Sequence, residues 1–164
     1  MGLGAVWLRL VATGLYALLE GSDVGTGGRM KLIFMTCAQS SAVDSQTGRL
    51  SLFHLLEQVQ ATNFPTAMSL TLVGMFAREE GEPDDQSVRL KVDLGETAIF
   101  DSSVNFSFRG KLRSRVLMAM NGLAIPSAGK LSFSFLSGEG LPLGAPWEVF
   151  VEKAPAQQEP SRTA

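Results

Sequence analysis

Apolar and polar residues alternate one for one in several short stretches of the chain. The alternation runs through residues 88–93, 104–109, 131–135 and 147–152. Because successive side chains of a strand point to opposite faces, a period of two predicts strands with one apolar face and one polar face. Strands of this kind bury their apolar face against a second layer, as antiparallel sheets do.

Three further stretches, residues 31–38, 68–78 and 115–123, are apolar in most positions. A short apolar run predicts a strand buried on both faces, and residues 68–78 have the pattern of a central strand. Turns containing Gly or Pro separate the stretches. The pattern therefore predicts an all-β fold, a two-layer antiparallel β-sandwich of seven to eight strands that is Ig-like or C2-like.

Residues 50–56 fit two patterns. Leu52 and Leu56 fit one face of a helix, whereas the order apolar, polar, apolar that starts at Leu50 partly fits a strand. The residue before a proline is disfavoured in the helical conformation, so Pro65 ends whichever element precedes it. Both interpretations stay open at this point.

Residues 1–29 differ from the rest, with apolar residues near helical spacing and only Arg9 charged before Glu20. Three interpretations of this segment are open. It is an upstream extension of a protein that starts naturally at Met30, or an export or anchor signal, or a peripheral helix. A signal peptide has a basic start and a small-residue cleavage site. A membrane span needs about 20 apolar residues. Because the segment meets neither criterion, we favour the extension.

The composition divides the chain into three regions. Residues 1–29 are the apolar extension with a flexible Gly-rich linker, and residues 30–153 are the sandwich domain. Residues 154–164 lack the apolar content to fold and are predicted to be disordered.

The charge and the single cysteine exclude several classes of function. The 164 residues carry a formal net charge of -2, which gives no field to attract nucleic acid. With one Cys and one His, the chain has no intramolecular disulfide and no multi-thiolate or multi-histidine metal centre. We therefore expect no cofactor and no nucleic-acid partner, and no membrane contact unless residues 1–29 are an anchor.

Five short motifs follow one another along the chain. They are KLIF at residues 31–34, TGRLSL at 47–52, FP at 64–65, PSAGKLSF at 126–133 and WEV at 147–149. This order resembles a family of uncharacterised bacterial domains, small β-sandwiches of unknown function, over about residues 30–153. The resemblance implies that residues 50–56 form a strand and that Met30 is the natural start. It implies no catalytic residue.

The only thiol and the only imidazole belong to Cys37 and His54. A thiol nucleophile needs a neighbouring base, and adjacent antiparallel strands would bring the two side chains together. That pairing would make the domain a hydrolytic or small-ligand-binding sandwich. The alternative, which we favour, is a buried and inert thiol in the core.

The acidic loop at residues 79–85 is a candidate calcium site through Glu80, Glu82, Asp84 and Asp85. Calcium takes 6–8 oxygen ligands from convergent groups, and the sequence has no second acidic loop to supply them. The alternative is a solvated loop.

Four basic residues, Arg109, Lys111, Arg113 and Arg115, recur at every second position. On an extended segment all four would project to one side and could meet an acidic partner. The alternative is a strand edge protected against pairing.

The sequence as a whole predicts a non-catalytic binding or structural accessory module that acts through protein–protein contact. Antiparallel edges of an open sheet also suggest a homodimer. We expect a cytoplasmic protein, or an exported or anchored one if residues 1–29 serve as a signal.

Overall fold

The computed structural model describes residues 7–13 and 30–155. The predictions for residues 1–6 and 14–29, and for residues 156–164 of the tail, lie outside the described residues. Within them the fold is all-β, with no helix. The ten strands, in chain order, are β1 Trp7–Thr13, β2 Lys31–Val43, β3 Leu50–Leu55, β4 Gln58–Ala61, β5 Thr66–Ala77, β6 Asp85–Leu94, β7 Thr97–Ser107, β8 Arg113–Ile125, β9 Gly129–Leu136 and β10 Trp147–Lys153.

The strands form two sheets. Sheet A has the order β8-β5-β2-β3, and β1 extends it along the edge of β8. Sheet B has the order β4-β10-β9-β6-β7. Neighbouring strands are antiparallel, except that β4 runs parallel to β10. Each sheet mixes strands from distant parts of the chain, so neither folds as a local unit.

The core lies between the two sheets, which pack face to face. Phe76 of β5 contacts Phe106 of β7 with ring centroids 4.9 Å apart, and Phe135 of β9 with centroids 5.1 Å apart. A Cβ on Gly74 would lie 2.9 Å from the ring of Phe135, so a side chain at this position would push the sheets apart. These contacts confirm the predicted all-β, two-layer packing.

The sequence patterns placed most strands correctly. The alternating stretches are β6, β7, β9 and β10, and residues 68–78 are the centre of sheet A as β5. Residues 50–55 form β3, which resolves the ambiguity in favour of the strand. The helical spacing noted near the N-terminus does not describe Trp7–Thr13, which pair with β8. The otherwise open edge of β8 offers these residues backbone partners.

The chain passes from sheet A to sheet B between β3 and β4. Leu56 donates its N–H to Cys37 O at 2.9 Å, and its carbonyl accepts the indole N–H of Trp147 at 2.9 Å. One residue later, Glu57 O accepts the N–H of Phe150 at 2.8 Å. These bonds therefore hold the β3 edge of sheet A next to the β4 edge of sheet B. No helix in the described residues is long and apolar enough to cross a membrane.

Candidate functional site

The outer face of sheet A, the face turned away from sheet B, is unusual. Cys37, Leu72 and Met118 point into the core, so their neighbours along each strand point outward. The register places three rows across β2, β5 and β8 on this face: Phe34, Met75 and Arg115; Thr36, Val73 and Leu117; and Ala38, Thr71 and Ala119.

The middle of this face is buried. Thr36 is 1% exposed, Val73 2% and Leu117 5%. In a two-layer fold the outer face of a sheet usually meets water and carries polar side chains. β5 is instead apolar on both faces, as the sequence predicted for a central strand.

Arg115 is the charged residue buried on this face, at 2% exposed. Its Nη2 donates to the carbonyl oxygen of Gly48 at 3.2 Å, while its Nε has no hydrogen-bond partner within residues 7–13 and 30–155. Within the described residues no carboxylate pairs with it. Burial lowers the pKa of the guanidinium, because taking the charge out of water disfavours the charged form.

The hydroxyl of Thr36 is a second unsatisfied polar group on the same face. Its Oγ1 is buried and has no hydrogen-bond partner in the described part of the chain. Buried polar groups are usually hydrogen-bonded, because the lost hydration is otherwise not replaced. Two orphan polar atoms therefore occur on one face of one sheet.

The turn between β2 and β3 lies against Arg115. β2 leaves β5 after the pair Ala38–Thr71 and continues with β3 alone as a hairpin. In the turn, Asp44 Oδ1 accepts the N–H of Gln46 at 3.0 Å and both the N–H and the hydroxyl of Thr47, at 2.6 and 2.8 Å. These bonds lower the pKa of Asp44 and hold the turn together as a unit.

Large apolar side chains are exposed beside this buried centre. Phe34 on β2 is 48% exposed, and Phe53 and Leu55 on β3 are 48% and 53% exposed. β3 is the edge strand of sheet A, and its sequence LSLFHL contains no charged residue and no proline. Natural edge strands usually carry such residues to prevent pairing with another chain.

The structure does not bring Cys37 and His54 together as a reactive pair. Cys37 is fully buried in the core, and His54 is exposed at the end of β3 with φ 55°. Burial raises the pKa of the thiol above its ordinary value, because the thiolate would lose its hydration. No hydrogen bond joins the two side chains in the part of the chain that the structure describes.

The acidic loop is arranged around an arginine. Asp84 forms an ion pair with Arg78, and its Oδ2 accepts the N–H of Gly110 at 2.7 Å. Glu82 contributes its backbone oxygen to the same arginine, while Glu80 is exposed and Asp85 begins β6. No group of three or more His, Cys, Asp or Glu among the described side chains could hold a metal ion. The carboxylate of Asp84 therefore serves the connection between β5, β6 and β8.

The four basic residues do not form one stripe, so the expected geometry is wrong. Arg109 and Gly110 have φ angles of 53° and 73°, and Lys111 donates its N–H to Phe108 O, which reverses the chain. Arg113 then begins β8, and Arg115 is buried on the outer face of sheet A. The tight turn interrupts the predicted extended segment and separates Arg109 from Arg113 and Arg115, which share one face of β8.

Sequence reasoning placed Arg115 among the binding candidates for a different geometric reason, and it missed the exposed edge strand. The signal for the edge was available in β3, a strand without a charged residue.

A scan against protein-family models and a search of the curated proteins found no match for the chain. Two physical features therefore single out the outer face of sheet A: an uncharged edge with apolar side chains in water, and a buried guanidinium.

Proposed function

We propose that the protein is a non-catalytic binding module whose partner is a second copy of the same chain. The observation that carries this proposal is β3, an edge strand without charge that exposes Phe53 and Leu55. An uncharged edge offers unpaired backbone groups, and exposed apolar side chains beside it add contact area. Both copies contribute the same strand, as a two-fold dimer requires.

The two edges of sheet B support β3 as the pairing edge. β7 closes sheet B and carries Asp101, which accepts a hydrogen bond from Arg89 Nε at 2.6 Å on its outer face. β4, the opposite edge of sheet B, is four residues long. Charge on an edge and short edge strands both discourage pairing. β3 carries no charged residue and, at six residues, is longer than β4.

The geometry of β3 limits which residues pair. His54 has φ 55°, outside the strand region, so residues 50–53 form the regular part of the edge. Two such segments would pair in antiparallel fashion about a two-fold axis, with Phe34, Phe53 and Leu55 of each copy packed beside them. A short ladder of this kind buries less than the 1,200–2,000 Å² or so of a standard stable interface. We therefore expect a dimer that dissociates on dilution.

The remaining parts of the proposal follow from the same features. The burial of Cys37 and the exposure of His54 favour a module without catalysis. The antiparallel sheets support an Ig-like or C2-like sandwich, and the free thiol is compatible with the cytoplasm. We also propose that the chain is related to the family of uncharacterised bacterial sandwich domains that its motifs resemble.

The experiment is sedimentation velocity over a concentration series, with Phe53→Lys as the test. Wild type should shift from monomer to dimer as concentration rises, while Phe53→Lys stays monomeric because the charge guards the edge. Phe150→Lys is the matched control, since Phe150 is 51% exposed but lies on sheet B. A wild type that is monomeric at every concentration, or equal effects of both variants, would contradict the proposal.

A further inference from the structure

We propose that Arg115 is an anion-binding residue, whose guanidinium receives the carboxylate or phosphate group of a small ligand at the outer face of sheet A. The guanidinium is buried, and it makes one hydrogen bond, to Gly48 O. Its Nε–H has no acceptor among the residues that the structure describes. A planar guanidinium matches the oxygen pair of a carboxylate or phosphate, and such bonds are the stronger kind.

Comparison with Arg78 shows what this protein does with a purely structural buried arginine. The side chain of Arg78 is 9% exposed and pairs with Asp84. It also donates to the backbone oxygens of Lys111 and Glu82, and it lies 5.2 Å from the ring centroid of Phe108. Asp84 therefore balances the charge of Arg78, and each of the three guanidinium nitrogens has a hydrogen-bond or ion-pair partner.

Among the described residues, Arg115 lacks both a balancing carboxylate and an acceptor for its Nε–H. No carboxylate in the described residues balances its charge, and burying a charge without a partner is strongly unfavourable. An anion that entered the site would offset this cost and satisfy Nε at once. Burial has already removed much of the water that would otherwise compete for the guanidinium, so electrostatic attraction is stronger there than on the surface.

The way into the site passes the hairpin turn. Gly48 belongs to this turn, and the hairpin has left β5 after Ala38, so it is joined to sheet A by its own strands and by the Arg115 bond. The hydrogen bonds of Asp44 hold the turn together as one unit. A ligand that binds Nη2 would take the place of the Gly48 carbonyl oxygen.

The surroundings of Arg115 indicate the rest of the ligand. Phe34 and Met75 share its row across the sheet, and Phe34 exposes half of its side chain. A carboxylate with a short apolar chain would contact both groups, whereas a bare phosphate would contact only the guanidinium. Octanoate and inorganic phosphate therefore serve as two probes for the same chemistry.

The test is NMR of the Arg115 Nε–H signal in the full chain, titrated with sodium phosphate or sodium octanoate at constant ionic strength, with sodium chloride as reference. We expect a saturable shift with at least one of the two probes. A shift with octanoate alone identifies a carboxylate with an apolar chain, and a shift with phosphate identifies a simple oxyanion. No saturable shift with either probe overturns the inference.

Two variants separate binding from folding, with binding measured by calorimetry. Arg115→Met should fold, because removing an unpaired buried charge is often neutral or stabilising, and it should bind neither probe. Arg115→Lys keeps the charge but not the planar fork and should bind roughly tenfold or more weakly. Arg89→Met removes one exposed charge on sheet B and is the matched control.

Undiminished binding in Arg115→Met, or equal loss in Arg89→Met, overturns the inference. If Arg115→Met does not fold, the comparison of Arg115→Lys with Arg89→Met decides. The result is independent of dimerisation, because the same titration can be made on monomeric Phe53→Lys.

Discussion

The outer faces of the two sheets differ, although both sheets bury their inner faces in one core. On sheet B the outer side chains are charged and paired across strands, as in Arg89 with Asp101 and Lys130 with Glu148, whose Nζ–Oε1 distance is 2.7 Å. On sheet A the corresponding positions of the central strands hold Val73 and Leu117, which are buried. Sheet B follows the rule for a solvated face, and sheet A does not.

This difference shows which face is available for a function. On sheet B these charged groups have partners of opposite charge, as does Asp93, whose Oδ1 lies 2.9 Å from Lys91 Nζ, so this face has less reason to bind a ligand. The outer face of sheet A combines an unpaired guanidinium, an orphan hydroxyl and exposed aromatic side chains at Arg115, Thr36 and Phe34. Such groups are stabilised by contact with a ligand or with another protein surface. We therefore place both the dimer contact and the anion site on this face.

The largest effect is expected from truncating a buried side chain on the outer face of sheet A. Leu117→Ala should lower the free energy of unfolding by about 2–5 kcal/mol, as for a core leucine. Ser134→Ala, on the outer face of sheet B, should change it by less than about 0.5 kcal/mol. Urea unfolding of both variants measures the contrast. A Leu117→Ala as stable as Ser134→Ala would mean that the two faces are equally solvated.

A smaller effect of opposite sign is expected from removing the orphan hydroxyl. Thr36→Val keeps the shape of the side chain and deletes an unpaired buried oxygen, so the free energy of unfolding should rise by about 1–3 kcal/mol. Thr97→Val, on an exposed position of β7, is the control and should have little effect. Thermal or urea unfolding decides, and destabilisation by Thr36→Val would show that the hydroxyl has a partner in solution.

The smallest effect is expected on sheet B, from Asp101→Asn. The hydrogen bond from Arg89 lowers the pKa of Asp101 in the folded protein. The ion pair therefore stabilises the protein above about pH 4, the ordinary value for Asp, and this contribution is lost as pH falls through the folded-state pKa.

Unfolding curves of wild type and Asp101→Asn should accordingly differ slightly near neutral pH and converge in acid. Added salt should reduce the difference, since both groups are exposed and screening is effective. A difference that grows on acidification would contradict the assignment of this pair to a solvated face.

Much of the fold could be predicted because four of the five strands of sheet B, namely β6, β7, β9 and β10, contain a period-two pattern. Residues 88–93 and 131–135 needed only local alternation to be placed. β4 was not predicted, since its four residues QVQA are too few for a pattern and are held by β10, far along the chain. Long-range pairing of this kind overrides local preference.

The candidate site was less predictable for two physical reasons. The turn at Arg109 and Gly110 depends on two left-handed residues, which alternation of basic residues does not indicate. The burial of Arg115 depends on where a distant hairpin turn, at Gly48, comes to lie. The apolar character of β5 on both faces was the visible sign that sheet A would not have a water-facing side.

The crossing from sheet A to sheet B has a consequence for synthesis on the ribosome. β4 has one strand neighbour, β10, and the bond between Leu56 and Trp147 joins residues 91 positions apart. At about 5–20 residues per second, translation delivers β10 roughly 5–20 s after β4. During that interval Gln58 and Gln60 keep the emerging strand polar, so the nascent chain can wait for its partner without aggregating.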